Sequence, residues 1–188
     1  MNTICVSFST RSEMKYKLNN EDIQAITKIQ KEVSDNSSKL EAIIDDIIKP
    51  YVSDLDSYVS FISDCLKDGT QPPTDAELED FCLNLSTYIY WAGGMCEYLG
   101  IKDDISKAIY KEVYHSVRSE LDKGTVADKD SIAELNSREE MIVNICYSRA
   151  SKIVKSKVEN AQELLSSCKK VLTRRMNEYN LTQQIGGK

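Results

Sequence analysis

Apolar side chains recur along this chain at spacings of three and four residues, the period of one helix face, from about Ile23 to Leu172. The first such face carries Ile23, Ile26, Ile29 and Val33, and begins after Asn19 or Asn20, where an asparagine can accept from free helix N–H groups. Ser34 to Ser38 interrupts it, and Ser38 with Glu41 has the spacing of a capping box for a restart. A second helix is expected over about Leu40 to Leu66. Its stripe of Leu40, Ile44, Ile47, Tyr51, Leu55, Tyr58 and Ile62 is close to a heptad and demands a helical partner. Pro50 lies inside it and is expected to kink it near Ile47.

Asp68 to Thr74 is the clearest loop, and Thr74 with Glu77 forms a second capping box. The third helix places Leu78, Cys82, Leu85, Tyr88 or Ile89, Ala92 and Met95 inward. Gly93-Gly94 within it points to close helix approach or a kink, and Gly100 is a plausible terminator. A fourth helix, Lys102 to Asp122, turns Ile105, Ile109, Val113, Val117 and Leu121 inward and ends at Gly124. The short connection predicts a hairpin with the third. The fifth segment, capped by Asp128 or Ser131, keeps a helical period through Ile132, Leu135, Ile142, Ile145, Ile153, Val158, Ala161, Leu164 or Leu165, Cys168 and Leu172. About 50 residues at ~1.5 Å each would span ~75 Å, so a break near Ser148 or Ser151, or packing on another subunit, is expected. The expected fold is all-α: an elongated antiparallel helical bundle with a long C-terminal helix. Residues 1–17, where Ile4, Val6 and Phe8 alternate with polar neighbours, read as an N-terminal arm. Residues 18–124 read as the bundle, 125–182 as the long helix and 183–188 as a frayed tail.

Charge divides this layout unevenly. The formal net charge is −6. Residues 149–188 hold nine Lys/Arg against three Glu, a net of +6. Taking these from totals of 24 basic and 30 acidic leaves 15 and 27 in residues 1–148, a net of −12. Such asymmetry points to an interaction segment. Arg149, Lys152 and Lys155 stand three apart on one ridge, and Lys169, Lys170, Arg174 and Arg175 cluster further on. That spacing suits phosphate contacts along a helix, which are sequence-independent and salt-sensitive. The alternative is a ridge that meets the acidic body of a neighbouring subunit. Among Tyr88, Tyr90 and Trp91, the first and last fall near the apolar stripe and are expected in the core. Tyr90 is the candidate for stacking on unpaired bases.

Catalytic chemistry finds little support. No phosphate-binding glycine loop, zinc-protease or nucleophile-elbow motif is present, and the single His115 lies among Tyr110, Tyr114 and Arg118 as an ordinary helix residue. Six cysteines, Cys5, Cys65, Cys82, Cys96, Cys146 and Cys168, form no CxxC pair, and several fall in line with aliphatic residues as reduced core thiols. Asp45-Asp46 and Asp103-Asp104 are adjacent, and neighbouring helical residues point about 100° apart, so neither pair converges on one metal ion. No cofactor, no catalytic activity and no membrane partner are expected. No stretch nears the ~18 apolar residues of a membrane span, and Met1 to Arg11 lacks a secretory signal pattern.

From Leu85 to about Arg175 the chain has an aromatic-bearing helix (Tyr88-Ile89-Tyr90-Trp91), a helix ending in Leu121-Asp122-Lys123-Gly124, a turn over Thr125 to Asp130, and a long basic helix. In this it resembles the UvsY-type recombination mediators of tailed bacteriophages. The resemblance implies all-α subunits that form rings, bind single-stranded DNA and help load a recombinase, in the cytoplasm of a host cell. This chain is longer and more acidic in its first half, and its basic residues do not match the family's one for one. The reading that follows is a non-enzymatic accessory DNA-binding protein, a homo-oligomer with single-stranded DNA or a protein as partner. The other reading is a structural or scaffolding component of a phage virion, in which the basic helix meets the next copy.

Overall fold

In a computed structural model, which describes residues 20–67 and 72–186, the chain is all-α, with four helices among the described residues: α1 (Asn20–Lys67), α2 (Asp75–Glu120), α3 (Val126–Asn136) and α4 (Arg138–Gly186). Two units divide it, Met1–Lys39 and Leu40–Lys188. The expected arm at residues 1–17 lies outside the described residues. In the first unit the helical stretch exposes Ile26, Ile29 and Val33. The expected interruption at Ser34 to Ser38 is absent: the Ser38 hydroxyl donates to the Ser34 carbonyl (3.0 Å), so it serves the running helix instead of capping a new one.

The second unit is a bundle of α1 from Leu40 onward, α2 and α4, with α3 against α2. Two apolar clusters hold it. One joins Leu55 and Ile62 of α1 to Leu78, Phe81, Leu85 and Ala92 of α2 and to Val158, Ala161 and Cys168 of α4. The other joins Ile44, Ile48 and Val52 to Leu99 and to Cys146, Ala150 and Val154. The helix carries on through Pro50. Tyr51 meets Lys102 and Tyr58 donates to the Asp80 carbonyl, so α1 and α2 run antiparallel. Asp56 pairs with Lys157, and the cluster memberships climb together, so α1 and α4 run parallel.

The long contact is between α2 and α4. Asp75 bonds Arg175 and Ser106 accepts from Asn144. From the first pair to the second, α2 advances 31 residues and α4 retreats 31, so the two helices face each other antiparallel without slippage. This packing carries α2 as one helix through the expected hairpin. Gly93, Gly94 and Gly100 are all helical, and a Cβ added at any of them meets nothing within 4 Å. Close approach to another helix of this chain is therefore not their role, and Gly100 terminates nothing. The inward line of the second half of α2 is Leu99 and Ser106 in place of Ile105 and Ile109, which are exposed.

Capping chemistry sets the ends. Thr74 is the N-cap of α2: its hydroxyl accepts from Glu77 N–H (3.3 Å), and its own N–H donates to the Glu77 carboxylate (2.7 Å). Thr125 and Asp128 repeat the device at α3 (3.3 and 3.0 Å), so the cap is Thr125 in place of Asp128 or Ser131. Gly124 precedes it with φ of 113°, a conformation that favours glycine. The last long segment breaks at Ser137, not at Ser148 or Ser151, and only slightly. Ser137 N–H still donates to Ala133 and its carbonyl accepts from Met141 (3.0 Å each). Helix α4 then continues to Gly186, through most of the expected frayed tail.

Two outcomes test this account. Gly93→Ala is expected to stabilise the protein by about 1 kcal/mol in chemical denaturation, because the helix gains propensity and nothing is displaced. The bonds to Thr74 and Thr125 hold the Glu77 and Asp128 carboxyls below their ordinary values of 4.5 and 3.8. Groups depressed in the folded state contribute stability that is whole above those values and is lost as pH falls through the lowered ones. An acid titration followed by circular dichroism is expected to show this loss, with a shallower pH dependence in the Thr74→Ala/Thr125→Ala double variant.

Candidate functional site

The buried line of α4 runs through Cys146, Ala150, Val154, Val158, Ala161 and Cys168. Its helical period decides which cations are free. Arg149, Lys152, Lys155, Lys169 and Lys170 are exposed, and none has a carboxylate within ion-pair distance among the described residues. Arg174 is also exposed but pairs with Glu178 one turn on (3.5 Å). Arg175 is turned inward: its guanidinium donates to the Pro73 carbonyl (2.6 Å) and to Asp75 (3.0 Å), which fixes α4 against the start of α2. A phosphate at Arg175 would have to compete with these two contacts. Lys157, at the same edge of the helix, donates to both carboxylate oxygens of Asp56 (2.7 and 2.8 Å). Two of the nine cations of the C-terminal segment thus serve the bundle.

The remaining ridge is not purely basic. Glu159 and Glu163 are exposed between the clusters at 149–155 and 169–170. A groove of about 410 Å³ between α2 and α4 is lined by Gly93, Glu97, Ser151, Lys155, Glu159 and Gln162 among others. Tyr90 is two helical turns before Glu97 and is 74% exposed. By the α2–α4 pairing it lies level with residue 160, between the two basic clusters. Tyr88 is half-buried and packs on Tyr58 (centroids 5.0 Å apart). Trp91 departs from expectation. It is 63% exposed and stands edge-on to Tyr90 (5.6 Å), because Ala92 and not Trp91 takes the core position.

Other candidates are plainer. His115 is exposed and stacks edge-on to Tyr114, whose hydroxyl donates to Asp130. Asp130 also binds Arg118, and that contact holds its carboxyl below the usual range. Burial pushes the thiols of Cys82, Cys96, Cys146 and Cys168 up, which disfavours the reactive thiolate. Among the described residues no group of three His, Cys, Asp or Glu side chains converges to hold a metal ion, and no helix is long and apolar enough to cross a membrane.

Beside the core line of α2, about 100° around the helix from Ala92, Leu99 and Ser106, Trp91, Tyr98 and Ile105 are 63%, 63% and 53% exposed, and Ile101 further round is 54% exposed, so the apolar surface of the helix extends beyond its buried face. Among the described residues the all-α bundle presents an exposed basic ridge on α4 and an exposed apolar face on α2. Comparison with protein-family models, curated proteins and solved structures gives no match.

The Arg175 contact gives a direct check. In a double-mutant cycle of Arg175→Ala and Asp75→Ala, followed by thermal unfolding, the pair is expected to be coupled by about 0.5 kcal/mol, the Asp75 side being open to solvent.

Proposed function

We propose that this chain is a non-enzymatic accessory DNA-binding protein that holds single-stranded DNA along α4. The observation that carries the reading is the set of exposed, unpaired cations Arg149, Lys152, Lys155, Lys169 and Lys170 on one rigid helix. From Lys152 to Lys170 is 18 residues, about 27 Å of helix, so the two clusters can touch well-separated phosphates of one strand. The continuous helix fixes the spacing of these cations along its axis, so binding orders their side chains and not the backbone that carries them. Tyr90, level with the gap between the clusters, offers a ring for a base. Arg174 contributes less, since binding must compete with Glu178. In this reading the protein acts in the cytoplasm of a phage's host, alongside a recombinase.

A second reading, a structural or scaffolding homo-oligomer, is favoured by the apolar outer face of α2. There the α4 ridge meets acidic surface on the next copy and not a nucleic acid.

Fluorescence anisotropy of a labelled oligo-dT strand, titrated with salt, separates them. If the five free cations each displace a counterion, log affinity against log salt is expected to have a slope of about −3.5. Lys152→Ala/Lys170→Ala is expected to weaken binding and bring the slope to about −2. No binding at low salt, or a slope near zero, removes the DNA reading and leaves the second.

A further inference from the structure

From Trp91 the outward residues of α2 follow a heptad: Trp91, Gly94, Tyr98, Ile101, Ile105 and Ala108 step by three and four. No charged residue interrupts the series. A core-facing stripe on the same helix packs on α1 and α4, while this second one is left largely uncovered among the described residues, with Trp91 and Ile105 at the mouths of clefts shared with α1 and α4. Its period selects a helix as occupant, since a flat surface or a small ligand requires no repeat of this length. Gly94 sits within it with open space where a side chain would be, which lets another backbone come near.

The flanking residues select which helix. One flank carries Tyr90, Glu97, Asp104 and Lys111, and the other Met95, Lys102 and Ile109. If the same face of a second copy lies alongside in parallel, Glu97 of each chain falls beside Lys102 of the other, and the two-fold axis makes this contact twice. Lys102 is already held in place by the Tyr51 hydroxyl (2.9 Å) and remains exposed. In the antiparallel arrangement that faces Tyr98 with Ile101, Glu97 would meet Asp104, which is repulsive. We infer that the outer face of α2 is a self-association seam, on which a second copy of this chain packs in parallel through Trp91, Tyr98, Ile101 and Ile105.

This inference does not rest on DNA binding, and it is tested without DNA. Sedimentation of the full chain over about 1–200 μM is expected to show a monomer giving way to a dimer or higher species with rising concentration. Trp91 is the only tryptophan, and its emission is expected to shift to the blue over the same range. Ile105→Glu, at a position already half open to solvent, is expected to keep the helical circular dichroism and raise the dissociation constant by roughly 100-fold. Glu97→Lys is expected to weaken association by threefold to tenfold, roughly, and adding Lys102→Glu to restore it. Lys152→Ala/Lys170→Ala is expected to leave association unchanged, so this inference and the DNA reading fail separately. A chain that stays monomeric throughout, or an oligomer indifferent to Ile105→Glu, overturns the seam. An oligomer broken by Ile105→Glu but not restored by the Glu97/Lys102 exchange overturns the parallel arrangement.

Discussion

The antiparallel contact of α2 with α4 is the constraint from which the rest of the second unit follows. Its buried side chains include the small residues Ala92 on α2 and Ala150 and Ala161 on α4, with Leu85 and Leu99 of α2 and Ile62 of α1 in the same two clusters. Once Cys146, Ala150, Val154, Val158 and Ala161 face inward, helix geometry sorts every charge on α4. Lys157 lies three residues past Val154 and four before Ala161, so it falls at the edge of the buried face and finds Asp56. Arg175, two turns beyond Cys168, falls at the same edge and finds Asp75. Lys152 and Lys170 are each two residues from a buried or half-buried position and so point away.

Local chemistry was well legible in the sequence, and long-range packing was not. The Thr74–Glu77 box depends on residues three apart, and the structure has it as read. The Thr125–Asp128 box has the same logic with a shorter acid, which made Thr125 look like part of a turn. Ser34 to Ser38 and Gly93-Gly94 look like breaks because each residue has poor helix propensity. That penalty is about 1 kcal/mol per glycine, while burying a Leu85 or Leu99 contributes roughly 1.5–3 kcal/mol. Packing on both sides of the glycines therefore outweighs them. At Ser34 to Ser38 the helix is mostly exposed, and the Ser38 hydroxyl bonds the Ser34 carbonyl one turn back.

On α2, Met95, Trp91, Ile105 and Ile109 are large, apolar and at helical spacing, so a single stripe drawn from the sequence takes them in, yet all four are exposed. The buried line here is Ala92, which the pattern includes, followed by Leu99 and by Ser106, whose hydroxyl accepts from Asn144. A helix whose apolar surface extends beyond its buried face yields no clean polar side to orient it. The same ambiguity, resolved, is what leaves Trp91, Tyr98, Ile101 and Ile105 uncovered.

The two proposed surfaces reinforce each other physically. The segment before residue 149 carries a net −12, and such a body repels a polyanion at long range. At physiological salt that repulsion fades over about 8 Å, so cations on the outward side of α4 can still bind at contact. Five free cations interleaved with Glu159 and Glu163 give one chain only a modest grip. Pairing through α2 would leave the α4 ridges uncovered and place two of them on one particle. A strand bound to the first ridge then meets the second at high effective concentration, so affinity rises with no new kind of contact. On that argument, pairing through the proposed α2 face would add to the affinity of the proposed α4 ridge for a strand without being required for it.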